Sequence, residues 1–183
     1  MKNFKINSTD QLISKISEAF EEVFVLCSKL EVQEFESSTN DKWSPREQVE
    51  HLLLSTKPVV KSLRAPRERL AAFGFSSEPP RNYQEIVETY QQYLNDGAKA
   101  IDRFIPAKNP SQLNKKALLD DWKLTAHFLR QNIREWFDAD LDSYCLPHPL
   151  MGNLAIREML YFTLYHTHHH LNQIHTSLNQ KKG

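Results

Sequence analysis

The chain is a succession of segments with helical hydrophobic periodicity, separated by polar or proline-containing stretches. Apolar residues recur at positions i, i+3, i+4 and i+7 within the segments, and the 22 Leu far outnumber the seven Val. Both features favour helices over strands. The pattern therefore predicts an all-α protein. The predicted helical segments span residues 8–30, 44–57, 82–105, 111–137 and 154–178.

The second segment has the clearest start signal. In the sequence WSPRE at 43–47, the serine is placed to cap the helix, the proline occupies the first helical position and the glutamate completes a capping box. Pro58 and Pro66 are expected to kink or interrupt the chain that follows. The polar stretch 31–42 and the segment 138–153 are interpreted as connecting loops. Because no repeat or linker divides the sequence, we expect a single domain over residues 1–183.

Composition excludes several functional classes. The 23 Lys and Arg balance the 23 Asp and Glu, whereas sequence-independent nucleic-acid binding needs an excess of cations. No apolar run approaches a membrane span and the N-terminus lacks a signal-peptide core, so we expect a cytoplasmic protein without membrane or nucleic-acid partners. Cys27 and Cys145 have no metal-binding spacing. Cys27 is interpreted as a core residue. Cys145, three residues before His148, is either an inert thiol or a candidate for a nucleophile pair with that histidine.

Histidine carries the main chemical signal. Five of the eight histidines fall within residues 166–175. On a helix, His166 and His170 lie about 40° apart and one turn from each other, so both imidazoles can reach one metal ion. A catalytic zinc ion usually has three protein ligands. His51, beside an apolar pair on the second segment, is the best candidate for the third, and His127 is the reserve.

Further residues are candidates for contact with the ligands or with bound water. Glu47 lies one turn before His51, Gln173 lies about 20° from His166 on the helical wheel, and His169 lies on the other side of His166. Other metal and phosphate sites are excluded, because the sequence has no HExxH, no ExxH and no glycine-rich loop.

Three stretches together resemble the DinB/YfiT-like superfamily of small four-helix-bundle metalloproteins. They are KWSPREQVEHLLLS at 42–55, PHPLMGNLAIREML at 147–160 and YHTHHHLNQI at 165–174. The resemblance implies a four-helix bundle, here with an extra helical segment between residues 58 and 110. It leaves open which of the segments 82–105 and 111–137 is the third bundle helix.

The resemblance also implies a site and a range of functions. In the family, one histidine of the second helix and an i, i+4 pair of the last helix bind a divalent metal, and the matching residues here are His51, His166 and His170. Zn²⁺ or Ni²⁺ is the usual ion, and homodimers are common. Similar members include bacillithiol S-transferases, mycothiol-dependent isomerases and metal-dependent hydrolases without an assigned substrate.

The leading hypothesis is therefore an enzyme that acts on a small molecule by activating water or a low-molecular-weight thiol at a divalent metal. The alternative is a non-catalytic, metal-stabilised bundle that acts as a dimeric binding or stress-response protein. That alternative predicts a fourth protein ligand, for which His148 and His127 are candidates. One departure from the family pattern is Ala155, where a Ser or Thr often begins the last helix, so Asn153 is expected to cap that helix instead.

Overall fold

The computed structural model describes residues 5–38, 42–107 and 114–180. The helices are α1 (Thr9–Ser28), α2 (Val32–Glu36), α3 (Pro45–Leu63), α4 (Arg67–Ala71), α5 (Tyr83–Asn95), α6 (Lys115–Arg134), α7 (Asp138–Ser143) and α8 (Ile156–Gln180). The strands are β1 (Cys145–His148) and β2 (Gly152–Ala155), and a 3-10 helix spans Asp102–Phe104. The all-α architecture predicted from the periodicity is confirmed, with a two-stranded hairpin as a minor addition.

Helices α1, α3, α6 and α8 form the bundle. Helix α1 packs against α6 and α8, and α3 packs against the same two helices, so that the four helices make a closed ring around the core. The third bundle helix is therefore α6, from the segment 111–137. Helix α5, from the segment 82–105, packs on α8.

Helix α8 is the central element. It contacts α1, α3, α5, α7 and both strands, and every residue from Ile156 to Thr167 except Arg157 is buried. This explains why its sequence is apolar almost all round, a pattern typical of a helix covered on every side. Polar side chains on α8 therefore lie in the protein interior, where they need partners.

The N-terminus of α8 is fixed by a buried carboxylate. Glu158 accepts a hydrogen bond from the backbone N–H of Ala155 at 3.1 Å. Arg81 donates to the same carboxylate from Nε at 2.8 Å and from Nη2 at 3.2 Å. The expectation that Asn153 caps this helix is wrong, because its side-chain amide donates to the carbonyl of Phe73 at 2.8 Å.

The largest departures from the predicted helix boundaries are the ends of the second and third segments. Helix α3 continues through Pro58 to Leu63, because a proline removes only one intrahelical N–H and the buried face with Val59 and Leu63 keeps its packing. The segment predicted to be helical over 82–105 ends at Asn95. Gly97 follows with a φ of +88°, a left-handed conformation that ends helices. Residues 96–107, named the strap below, then run across α3 through the 3-10 helix.

Short elements replace the predicted loops. The polar stretch 31–42 contains α2, which is held by the fully buried Phe35. The segment 138–153 contains α7 and the first strand of an antiparallel hairpin in which Cys145 pairs with Ala155 and His148 with Gly152. Helix α8 accordingly begins at Ile156 and not at 154. Within the described residues, no helix is both long and apolar enough to cross a membrane.

His148 closes the hairpin turn and makes it sensitive to acid. Its Nδ1 accepts the backbone N–H groups of Leu150 at 3.2 Å and Met151 at 3.1 Å, so the folded protein holds a neutral ring. Burial lowers the pKa of His148 to about 4, against about 6.5 in an unfolded chain. Between these two pH values the imidazole is protonated in the unfolded chain and neutral in the folded protein. The free energy of unfolding therefore falls as the pH drops from about 6.5 towards 4.

We predict that His148→Asn reduces the acid sensitivity of the metal-free protein. The asparagine oxygen can accept the same two N–H groups without binding a proton. Between pH 7 and pH 5 the wild-type chain should lose about 2 kcal/mol more unfolding free energy than the variant. Urea unfolding in EDTA at both pH values measures the difference. An equal loss in both proteins would contradict the role of His148.

Candidate metal centre

Three histidines from two helices converge at one point in the interior. His51 lies on α3, and His166 and His170 lie one turn apart on α8. The Nε2 atom of His166 is 3.0 Å from the Nε2 atom of His51 and 3.0 Å from that of His170. Each side chain is about 5% exposed or less. The packing of α3 on α8 thus brings together the three residues proposed as ligands.

The opposite edge of each imidazole faces a hydrogen-bond acceptor. His51 donates from Nδ1 to the backbone carbonyl of Phe104 at 2.7 Å, and His170 donates from Nδ1 to Oε1 of Gln48. The Nδ1 of His166 is 3.5 Å from Oγ of Ser55, a hydroxyl that itself donates to the carbonyl of Leu52 and so keeps a lone pair free. These contacts place the proton on Nδ1 and direct the Nε2 lone pairs inward.

Aromatic rings hold the imidazoles in place. The ring of Trp43 lies 4.9 Å from that of His51 and 6.2 Å from that of His170, measured between centroids. Phe162 stacks on His166 at 4.9 Å with an angle of 21° between the ring planes. The three imidazoles therefore have little freedom to rotate away from one another.

The donor set fits a divalent transition metal. Burial first, and then the proximity of the other rings, lower the pKa of His166 and of His170. Burial also lowers the pKa of His51, partly offset by its bond to Phe104. The rings are therefore neutral at pH 7, as metal ligation requires. Two nitrogens bound to one ion at about 2.0 to 2.1 Å and at angles of about 90 to 110° are about 2.8 to 3.4 Å apart, and the 3.0 Å contacts fit this range.

The other predicted contact residues take different positions. Glu47 is engaged at the N-terminus of α3, where its carboxylate accepts the N–H of Ser44 at 2.7 Å and its own N–H donates to the serine Oγ at 3.2 Å. Gln173 donates to Nε2 of His169 at 2.7 Å. This second pair lines the cavity beside the cluster, whereas Glu47 acts as a helix cap.

The remaining chemical candidates lie outside the cluster. Among the described residues, His51, His166 and His170 are the only group of three or more His, Cys, Asp or Glu close enough to share an ion. His127 is exposed on α6, and His148 is engaged in the hairpin turn. Burial raises the pKa of Cys145, and the Glu158 carboxylate adds to the shift, so this thiol is not activated as a nucleophile.

The residues that orient the histidines were missed by the sequence analysis. Gln48 and Ser55 lie three residues before and four residues after His51, so helical periodicity places all three on one face of α3. The spacing could therefore have indicated that these two polar side chains lie beside the histidine cluster. The carbonyl of Phe104 comes from the strap, 53 positions along the chain, and no side-chain pattern marks it.

The cluster opens into a large cavity. A volume of about 630 Å³ lies between α3, α5, α8, the hairpin and the strap, and all three histidines contribute to its lining. Cavities of this size accommodate organic molecules of metabolite or drug size. The site therefore combines a metal-type donor set with room for a substrate.

Comparison with known proteins relates this chain to a family and to two solved structures. The model of the DinB superfamily matches residues 15–174. The fold is similar to YfiT from Bacillus subtilis, described as a probable metal-dependent hydrolase with an unusual four-helix bundle topology, with a TM-score of 0.67 and 14% identity over 100% of this chain and 94% of that one. It is also similar to TT2238, described as a four-helix bundle protein, with a TM-score of 0.60 and 16% identity over 93% of this chain and 100% of that one.

A search of the curated proteins found no match. The two solved structures share less than a fifth of their residues with this chain and support the fold alone. The matched residues include all of α3 and α6, most of α1 and α8, and the three clustered histidines. The resemblance seen in the sequence is thus confirmed, and the chain belongs to the DinB superfamily.

Proposed function

We propose that this protein is a metal-dependent enzyme in which His51, His166 and His170 hold one divalent ion, Zn²⁺ or Ni²⁺. The observation that carries the proposal is the convergence of three neutral, oriented imidazoles at the wall of a 630 Å³ cavity. When bound, the ion would act as a Lewis acid and lower the pKa of a water or thiol ligand. Imidazole ligands suit both metals.

The chain's own residues have distinct roles in this proposal. Gln48, Ser55 and the Phe104 carbonyl hold the Nδ1 protons and so keep the Nε2 lone pairs available. Trp43 and Phe162 shield the cluster and exclude water from its flanks. His169 and Gln173 present a polar edge to the cavity, where they can hydrogen-bond a substrate next to the ion.

The open cavity favours catalysis over a purely structural ion. A structural zinc site is usually closed by four protein ligands. Within the described part of the chain no fourth metal-type side chain joins the cluster, and the cavity reaches it. The choice between hydrolysis and thiol transfer, the homodimer, and the cytoplasmic location remain predictions.

We predict that the purified protein carries about one equivalent of divalent metal. His51→Ala, His166→Ala and His170→Ala should each lose most of it, because two imidazoles alone make a weak site. His127→Ala and His175→Ala, which remove exposed histidines, are the matched controls and should keep it. Inductively coupled plasma mass spectrometry after gel filtration gives the stoichiometry, and circular dichroism confirms that each variant is folded. Full occupancy in all three cluster variants would overturn the assignment.

We predict that Gln48→Leu weakens metal binding by about 10- to 100-fold, because it removes the acceptor that orients His170. Glu47→Ala is the neighbouring control. Loss of its helix cap should lower the melting temperature of the protein while the metal affinity of the folded state is unchanged. Competition with a chromophoric chelator measures the affinity. Equal affinities in wild type and Gln48→Leu would show that Gln48 does not position the ligand.

We predict metal-dependent turnover in one of two assays. The first tests a panel of cellular thiols with monochlorobimane, and the second follows ester and amide hydrolysis without thiol. Activity should disappear in His170→Ala and after treatment with EDTA, because the ion supplies the activated nucleophile. A fully metal-loaded protein without activity in either assay would favour the non-catalytic bundle.

A further inference from the structure

The walls of the cavity beside the histidine cluster are mainly apolar. Helix α5 contributes Tyr90 and Leu94, α8 contributes Met159 and Phe162, and the hairpin contributes Leu146. The rings of Tyr90 and Phe162 meet edge to face at 5.0 Å and form a continuous aromatic wall. Burial raises the pKa of Tyr90 to about 12, so this wall carries no charge at neutral pH. A ligand that fills the cavity must therefore have an apolar body.

The charges that line the same cavity are all positive. Lys99 and Arg103, both on the strap, contribute to the lining. Their side chains are exposed, which places them at the mouth of the cavity. About one residue in eight of the chain is an Asp or Glu, yet none of the described lining residues is acidic. Charge of one sign at a cavity with apolar walls raises the local concentration of ligands of the opposite sign.

Nearby carboxylates do not neutralise this pair. Asp96 and Asp102 belong to the strap, but both are exposed and neither lines the cavity. Asp96 accepts a hydrogen bond from Gln92 at 3.0 Å. The Arg103 guanidinium lies 4.8 Å from the centroid of its neighbour's ring, Phe104, and no ion pair joins Lys99 or Arg103 to a described carboxylate. The six residues that follow, 108–113, include no Asp or Glu in their sequence.

The strap also joins the charged mouth to the histidine cluster. Arg103 is adjacent to Phe104, whose carbonyl accepts the Nδ1 proton of His51 at 2.7 Å. A ligand with one end at Arg103 and Lys99 therefore extends along the aromatic wall towards His51 and His166, which line the same cavity. A charged end at the mouth keeps part of its hydration, and the apolar body loses contact with water on entry.

We propose that this cavity binds an amphipathic organic anion, whose carboxylate, sulfonate or phosphate group lies between Lys99 and Arg103 and whose apolar body lies on the Tyr90–Phe162 wall. The uncharged end of such a ligand reaches the histidine cluster. The assignment of this anion as a substrate rests on the proposed function, whereas its binding does not require the metal.

A pair of fluorescent probes tests the proposal. 8-Anilinonaphthalene-1-sulfonate and N-phenyl-1-naphthylamine share the same apolar body, and only the first carries a negative charge. The variant Lys99→Gln/Arg103→Gln should weaken sulfonate binding by about two- to thirtyfold, the range for two exposed ion pairs, and leave binding of the neutral probe unchanged. Lys29→Gln/Arg134→Gln removes the same charge from exposed positions outside the cavity and should leave both affinities unchanged.

Two further measurements locate the probe and separate this proposal from the metal. Leu94→Trp changes a half-buried position of the wall. It should weaken the binding of both probes, because the larger side chain narrows the cavity. Added salt should weaken sulfonate binding in the wild type and much less in Lys99→Gln/Arg103→Gln. Equal sulfonate affinity in the wild type and in that variant overturns the proposal, as does an equal loss in the Lys29→Gln/Arg134→Gln control.

Measurement of sulfonate binding after metal removal with EDTA separates binding at the two cations from binding at the metal. Sulfonate binding that persists in EDTA and depends on Lys99 and Arg103 supports the proposal, even if the protein proves to hold no metal and the proposed function fails. Sulfonate binding that is lost in EDTA and is insensitive to the two cations overturns it. In that case the anion binds at the metal, and the proposed function stands.

Discussion

The structure depends on the partners that the ring nitrogens of three buried imidazoles find in the protein interior. An unpaired polar group in a protein interior costs free energy, and His51, His166 and His170 are all buried. Each has an acceptor near Nδ1, from Phe104, Ser55 and Gln48 respectively. With the Nδ1 protons so placed, three Nε2 lone pairs point at one another across 3.0 Å contacts. Such lone pairs repel one another unless a positive charge lies between them. The hydrogen bonds that fix the Nδ1 protons therefore also favour the binding of a cation by the three Nε2 atoms.

Much of this arrangement could be predicted from the sequence, because strong local rules act on particular residues. The capping box of Ser44 and Glu47 fixes the start of α3 and therefore the direction in which His51 points. The i, i+4 spacing puts His166 and His170 on one face of α8. The all-round apolar character of α8 indicates a helix covered on every side, and four other helices contact it.

What could not be predicted depends on contacts between distant segments or on the direction in which each of two neighbouring helical residues points. Glu47 and Gln48 are neighbours, but one residue corresponds to about 100° of helix rotation. Glu47 therefore caps the helix while Gln48 turns inward to His170. The Phe104 carbonyl reaches His51 only because Gly97 ends α5 early and the strap crosses α3. The short β-hairpin is stabilised by the imidazole of His148 and the carboxylate of Glu158, neither of which changes hydrophobic periodicity.

Elements outside the four bundle helices complete the cavity at the histidine cluster. Helices α1, α3, α6 and α8 supply the frame and the histidines, whereas α5, the strap and the hairpin build a cavity over them. The frame is shared with the DinB superfamily. Part of the cavity wall and both cations at its mouth come from segments outside the four bundle helices, and these segments are expected to determine which molecule reaches the histidine cluster.

X-ray absorption at the metal edge of the loaded protein tests the central claim most directly, because it counts and identifies the ligands. The account predicts three imidazole nitrogens at about 2.0 to 2.1 Å, together with at least one exchangeable light-atom ligand from solvent. A sphere closed by four protein ligands, or one containing fewer than three imidazoles, would contradict an open three-histidine centre.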